Sequence, residues 1–253
     1  MNFAVLPRSN NEPILCRRMK SLRSHLAILT FLCGISAIAL GPVVPLRNVK
    51  GTPFQATLVK TSIRSGQQIT TLGTVARNSN GSTYWEIAGS HPGLDSIIII
   101  QDVPNHRTIT LYQKTNFYSI APLDATIPIS DAPSPQVVKQ RIAQCENKQM
   151  YHNSGDGYDS SSTMLGSRMQ NGFVECGERV VYHQIPPTSQ LAAKIWENWT
   201  IPALDLSAEY IGYDNNNQPV ETQKLKDIHA AEPDSTLFEI PPGYTPQPPV
   251  PSR

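Results

Sequence analysis

From Phe54 onward the chain reads as short runs in which apolar and polar residues alternate, separated by turn formers. Phe54, Ala56 and Leu58 share one side of the first run, which meets a turn at Arg64-Ser-Gly-Gln67. Residues 68–77 are polar and β-branched, Asn78-Ser-Asn-Gly81 turns the chain, and Thr83, Trp85 and Ile87 then fall on one side. A Gly- and Pro-containing loop at 89–93 leads to Ile97-Ile-Ile-Ile100, and Pro104-Asn-His-Arg107 returns it into 108–112. Short β segments at this spacing, with turn signals between them, predict an antiparallel meander. The four isoleucines predict a strand covered on both faces.

The period then changes. Ser134 precedes Pro135, and Val137, Val138, Arg141, Ile142 and Cys145 recur at helical spacing. This predicts a helix over 135–147, with Ser134 as N-cap, Pro135 at its first position, and Val138, Ile142 and Cys145 as its buried stripe. Residues 151–163 are rich in turn formers and read as a loop. Residues 164–168 and 172–185 read as strands; 194–201 fits either helix or strand, and its two tryptophans and the following Pro202 favour strand. Residues 206–213, a turn at 214–217 and 220–228 read as a last hairpin. Leu237-Phe-Glu-Ile240 is a short apolar segment, and six of the thirteen residues from Pro241 on are proline, which predicts an extended or disordered tail.

The N-terminal end has a different character. Arg17, Arg18, Lys20 and Arg23 precede an apolar run at 26–40, and Ala37-Ile-Ala39 offers small residues at the positions a signal peptidase reads. This predicts a signal peptide with an internal start at Met19 and cleavage near Ala39; an uncleaved anchor is the alternative. The run falls short of the ~20 apolar residues of a spanning helix. The resulting organisation is 1–39 as extension and signal, 40–52 as an extended lead-in, 53–244 as a single β-rich domain and 245–253 as a Pro-rich tail. The mature protein is expected to be extracytoplasmic, periplasmic or secreted.

Charge follows from that division. Removing 1–39 deletes five of 21 basic and one of 20 acidic residues, leaving 16 against 19 and a net charge of −3. A mildly acidic chain gives no electrostatic case for nucleic acid. Of the four cysteines, Cys16 and Cys33 leave with the signal. An even pair in an oxidising compartment predicts a Cys145–Cys176 disulfide, with two buried thiols as the alternative. On the chain-entropy model its loop would contribute about 3–4 kcal/mol.

Ala231-Glu-Pro-Asp-Ser-Thr-Leu-Phe-Glu-Ile-Pro-Pro-Gly-Tyr244 resembles the closing motif of exported bacterial domains of the lipoprotein-carrier-like (LolA- and LppX-like) fold. The wider layout is similar to an exported acidobacterial-type protein family. It opens with Pro53-Phe-Gln-Ala56, and Leu165-Gly166 leads into the strand Gly172-Phe-Val-Glu-Cys-Gly-Glu-Arg179. The resemblance covers roughly 53–244. It implies an α+β, mainly β fold: a curved antiparallel sheet, or half-barrel, with one or two covering helices that can enclose acyl chains. The carrier's helix before its first strand has no counterpart here, because Gly41, Pro42 and Pro45 oppose one. In physical terms Leu237, Phe238 and Ile240 are expected to plug apolar space at a sheet end, where burying two such side chains contributes roughly 3–6 kcal/mol.

Candidate chemistry is sparse. The chain carries no nucleophile elbow, zinc-binding His-Glu-x-x-His, phosphate loop or dinucleotide fingerprint. His91, His106, His152, His183 and His229 are scattered singly. Asp156 and Asp159 lie in a loop that lacks the ligand spacing of a calcium-binding EF-hand. No metal, cofactor or catalytic residue is assigned. Trp85, Trp196 and Trp199 are the candidate ligand-binding residues if they line a half-barrel pocket, and core residues otherwise. The expected function is a non-catalytic envelope binding protein for an apolar ligand, a lipid or lipoprotein acyl chain. The alternative is an envelope interaction or sensor module that binds a membrane regulatory protein.

Overall fold

The computed structural model describes residues 46–64, 66–87, 96–155, 158–184 and 195–248. The expectations for the signal segment at 1–39, for His91 and for Asp156 lie outside these residues. In chain order the elements are β1 (Asn48–Lys50), β2 (Phe54–Arg64), β3 (Gln67–Arg77), β4 (Thr83–Ile87), β5 (Ile97–Asp102), β6 (Arg107–Tyr112), β7 (Phe117–Pro122) and β8 (Ile129–Asp131). Helix α1 (Pro135–Glu146) follows, then β9 (Met150–Gly155), β10 (Tyr158–Gln170), β11 (Phe173–Gln184), β12 (Ile195–Ile201), β13 (Leu206–Tyr213) and β14 (Pro219–His229). A 3₁₀ turn (Ser235–Phe238) and β15 (Thr245–Pro246) close the described chain.

Thirteen strands form one curved, open sheet in the order β15-β7-β6-β5-β4-β3-β2-β14-β13-β12-β11-β10-β9. The pairing is antiparallel throughout except between β15 and β7. The meander expected over 54–112 is present as β2–β6 and extends by one strand, β7. Asn116 makes that extra hairpin feasible by adopting a left-handed φ of 52°. β14 pairs with β2 and so joins the two halves of the chain. Gly73 on β3 is required by close packing: a Cβ there would lie 2.1 Å from the Glu86 carbonyl oxygen.

One of these expectations needs correction, and two gain a pairing partner. Within the expected loop at 151–163 the described residues are strand: 151–155 belong to β9 and 158–163 to β10, where Ser160 and Ser162 are buried against β11. Small hydroxyl side chains fit the narrow cross-strand spaces there, so packing overrides their turn propensity. The described part of the lead-in is extended and paired: β1 runs parallel to β8 as a second small sheet, burying Asn48 and Val49. The tail begins as an edge strand, with Thr245 and Pro246 paired to Phe117 and Tyr118.

The sheet has two faces with separate covers. On one, here the tail face, Ala76, Tyr84, Ile98, Ile100, Ile109 and Leu111 form a core cluster that Leu237, Phe238, Ile240 and Tyr244 pack against. The closing motif thus plugs apolar space as expected. Asp234 caps the 3₁₀ turn by accepting from Thr236 N at 2.9 Å. Ile97 and Ile99 face the other way and are half-buried, so β5 is fully covered on the tail face only. On the opposite face, here the helix face, Phe54, Ala56, Val75, Leu206, Ala208 and Leu225 form the second cluster, with Leu46, Leu58 and Trp85 against it.

Candidate ligand-binding site

Helix α1 starts as its sequence dictates. Ser134 Oγ accepts from Val137 N at 3.3 Å and Pro135 fills the first turn, where no amide hydrogen is needed. Its inward stripe is only partly covered. Cys145 is its one buried side chain, while Val138 and Ile142 remain half-buried beside Pro133, Pro135 and Ala203 in a shallow open hollow. The expected buried stripe is therefore closed only at its C-terminal end.

Between α1 and the sheet lies a pocket of about 400 Å³. Helix α1 contributes Arg141, Gln144 and Cys145, β10 contributes Met164, and the floor is made by Cys176, Glu178, Asn198, Thr200 and Leu206. Strand alternation explains that floor. Cys176 and Glu178 stand opposite Thr200 and Asn198, which puts all four on the helix face. Leu46, Arg47, Pro202 and Asp205 complete the rim.

Asp205 organises the rim. It sits at φ 46° in the turn between β12 and β13, and accepts from Arg141 Nη1 at 2.6 Å and Arg47 Nη1 at 3.3 Å. One carboxylate therefore ties the helix and the lead-in to the same turn. Beneath it Arg77 is fully buried. Its Nε donates to Thr52 O at 3.0 Å, its Nη1 to Arg47 O at 3.1 Å and its Nη2 to Leu204 O. The guanidinium also stacks 5.1 Å from the Phe54 ring. Burial lowers Arg77 to about 10, against the pull of Asp205, so it stays charged at neutral pH.

The three candidate tryptophans are not brought together. Trp85 joins the helix-face core and, with Leu58 and Tyr210, borders a residual space of about 20 Å³. Trp196 stacks at a tilt on Tyr210, ring centroids 6.3 Å apart. Trp199 lies on the tail face, flat over Gly177, where a Cβ would meet its ring at 2.8 Å. The Arg168 guanidinium covers the other side of that ring at 3.8 Å and bridges Glu175 and Glu209 across the strands. None of the three borders the 400 Å³ pocket. Its walls come from segments far apart in sequence, and their spacing carried no signal; the one usable hint was the pair Cys145 and Cys176, both of which line it.

Those two cysteines stand 3.2 Å apart as thiols, without a bond between them in this structure. Cys145 Sγ donates to Gly166 O at 2.7 Å, a carbonyl brought within reach by a bulge in β10 at Met164/Gly166. Burial pushes the Cys176 thiol up to about 12, and the adjacent Cys145 adds to the shift.

The histidines stay dispersed. His106 occupies a hairpin turn, His183 pairs with Ser161 Oγ at 3.0 Å, and His152 pairs with Asp159 at 3.1 Å. Among the described residues no group of three or more His, Cys, Asp or Glu is placed to hold a metal ion.

The architecture is thus a single curved β-sheet with a helix-lidded, charged-rim pocket. Among solved structures the chain is similar to a conserved protein from Thermus thermophilus, at 14% identity and a TM-score of 0.44, over 78% of this chain and 90% of that one. It is similar to MucB of Pseudomonas aeruginosa in complex with MucA at 15% identity and a TM-score of 0.39, spanning 75% of this chain and 56% of that one. A LolA superfamily protein from Nitrosomonas europaea aligns at 8% identity and a TM-score of 0.21, over 74% of this chain and 90% of that one. No protein-family model and no curated protein matches the chain.

Proposed function

We propose that this chain is a non-catalytic, extracytoplasmic binding protein that takes one small amphipathic ligand, such as the end of a single acyl chain with its polar head, beneath α1. The observation that carries this reading is the pocket itself. Its volume of about 400 Å³ lies in the range of small-molecule sites, with Leu46, Met164, Ile201 and Leu206 as apolar walls and Arg47, Arg141 and Asp205 at the mouth. The rest of the helix face argues for a short ligand. Next to the pocket, Leu58, Val75, Trp85 and Leu225 pack on one another around a space of about 20 Å³, too small to extend the site for a long chain in that direction. Each methylene buried contributes about 0.8 kcal/mol.

Dodecanoate, followed by native mass spectrometry, tests the reading. It predicts a saturable one-to-one complex that is lost in Thr200→Trp, whose indole would occupy the floor. Absence of a complex, or an equal complex in the variant, refutes it.

One observation favours a second reading, a module that binds an envelope protein. Among the described residues β9 is the last strand of the sheet, and Met150 on it and Met169 on β10 are 68% and 70% exposed. Such an edge offers backbone hydrogen bonds to an extended segment of a partner. Ser154→Pro would abolish capture of a membrane regulatory protein on this reading and leave dodecanoate binding intact.

A further inference from the structure

We infer that Cys145 and Cys176 are a disulfide site whose closure pins α1 over the pocket and whose opening releases it. Three observations converge on this. The two cysteines stand 3.2 Å apart, one at the end of the helix and one on the floor, and both line the pocket. Cys145 is the only buried side chain of α1. Val138 and Ile142 are only half-buried, and the polar links of α1 lie near the surface: Arg141 to Asp205, with the arginine 41% exposed, and Glu146 to Ser167. Exposed pairs of that kind hold a helix weakly. The sulfurs need approach by only roughly 1 Å to reach bonding distance, which side-chain rotation can supply.

The oxidant is a disulfide of low molecular weight, or the active-site disulfide of a thiol–disulfide oxidoreductase. One cysteine thiolate attacks it, forming a mixed disulfide and expelling one thiol. The second cysteine attacks the protein sulfur of that intermediate, forming the Cys145–Cys176 bond and expelling the second thiol. Two protein thiols are oxidised, one external disulfide is reduced to two thiols, and the protons pass to the departing thiolates. Both cysteines are buried, at 1% and 9% exposure, so exchange proceeds through an opened helix rather than the closed one. Once formed, the bond is shielded from reductants in the same way.

Control of ligand entry by this bond rests on the binding reading above. The bond and its grip on α1 do not, so the test contains no ligand. The protein is refolded with oxidised and reduced glutathione, and intact mass and alkylation in denaturant count the thiols. Trypsin then reports on α1, which carries Lys139 and Arg141. The expected result is a mass lower by two hydrogens, no alkylation at 145 or 176, and cleavage within α1 at least ~10-fold slower than in reduced wild type. Two thiols that persist in excess oxidised glutathione overturn the inference, as does a bond that leaves cleavage within α1 unchanged. The comparison needs no variant. In Cys176→Ala the cleavage rate is expected to ignore the oxidant, and protection of that variant by oxidant also overturns the inference.

Discussion

The sheet carries two covers, and they are seated differently. Over β4–β7 the chain's C-terminal segment sets Leu237, Phe238, Ile240 and Tyr244 onto a continuous apolar cluster. Over β10–β13, α1 buries a single side chain, Cys145, and leaves a pocket of about 400 Å³ beneath the rest. Both covers begin with a side-chain cap, Asp234 in one and Ser134 in the other, so local signals do not separate them. What separates them is what lies beneath: the first packs directly on an apolar cluster, and the second spans a pocket. The first closes the sheet and the second covers a pocket.

Four perturbations test this contrast. The largest effect is expected where the buried support beneath Asp205 is broken. Arg77→Met strands the carbonyls of Arg47, Thr52 and Leu204, and should cost about 3–5 kcal/mol in urea denaturation. Phe238→Ala, which thins the closed cover, is expected to lower stability by about 2–3 kcal/mol, below the range for a fully buried phenylalanine because the ring is half-buried. A loss below about 1 kcal/mol would remove the contrast.

Alkaline pH sharpens the comparison next. Burial, then Glu86 and Tyr244, raise the Tyr84 hydroxyl to about 12. A folded value above the ordinary 10 means that this contribution is complete below pH 10 and is lost as pH rises toward 12. Thermal unfolding across that window should become less pH-dependent in Tyr84→Phe. Tyr210, also raised to about 12 by burial, leaves a residual slope.

The smallest effect belongs to the lid. Ser134→Ala removes the cap of α1 and should cost about 1 kcal/mol or less, read as faster local exchange of α1 with the global unfolding midpoint almost unmoved. An equal loss in global stability would show that α1 is part of the cooperative core.

Much of the sheet was legible because its signals are local. The alternation from Phe54 to Tyr112 gave β2–β6, the Ser134-Pro135 pair with its helical spacing gave α1, and Trp196 and Trp199 before Pro202 tilted an otherwise ambiguous segment toward the strand β12. The errors share a cause. Ser160 to Thr163 look like turn residues in isolation, yet pairing with β9 and β11 makes them strand. β1, β8 and β15 are two or three residues long and exist only through partners distant in sequence. The site was hidden for the same reason. Asp205 binds Arg47 and Arg141, respectively 158 and 64 positions away, and no spacing rule links them. The tryptophans drew notice as large aromatics, but their neighbours made them core or cross-strand packing, with Trp199 held between Gly177 and Arg168.

Hydrogen exchange on the reduced protein, resolved by mass spectrometry, tests most directly whether one cover closes the sheet while the other is a lid. The account predicts that the amides of α1 exchange through local opening, at least ~100-fold faster than those of β5 and β6 beneath the C-terminal segment. Protection of α1 equal to that of β5 and β6 would contradict it, and would make the pocket a fixed internal space rather than a site that opens.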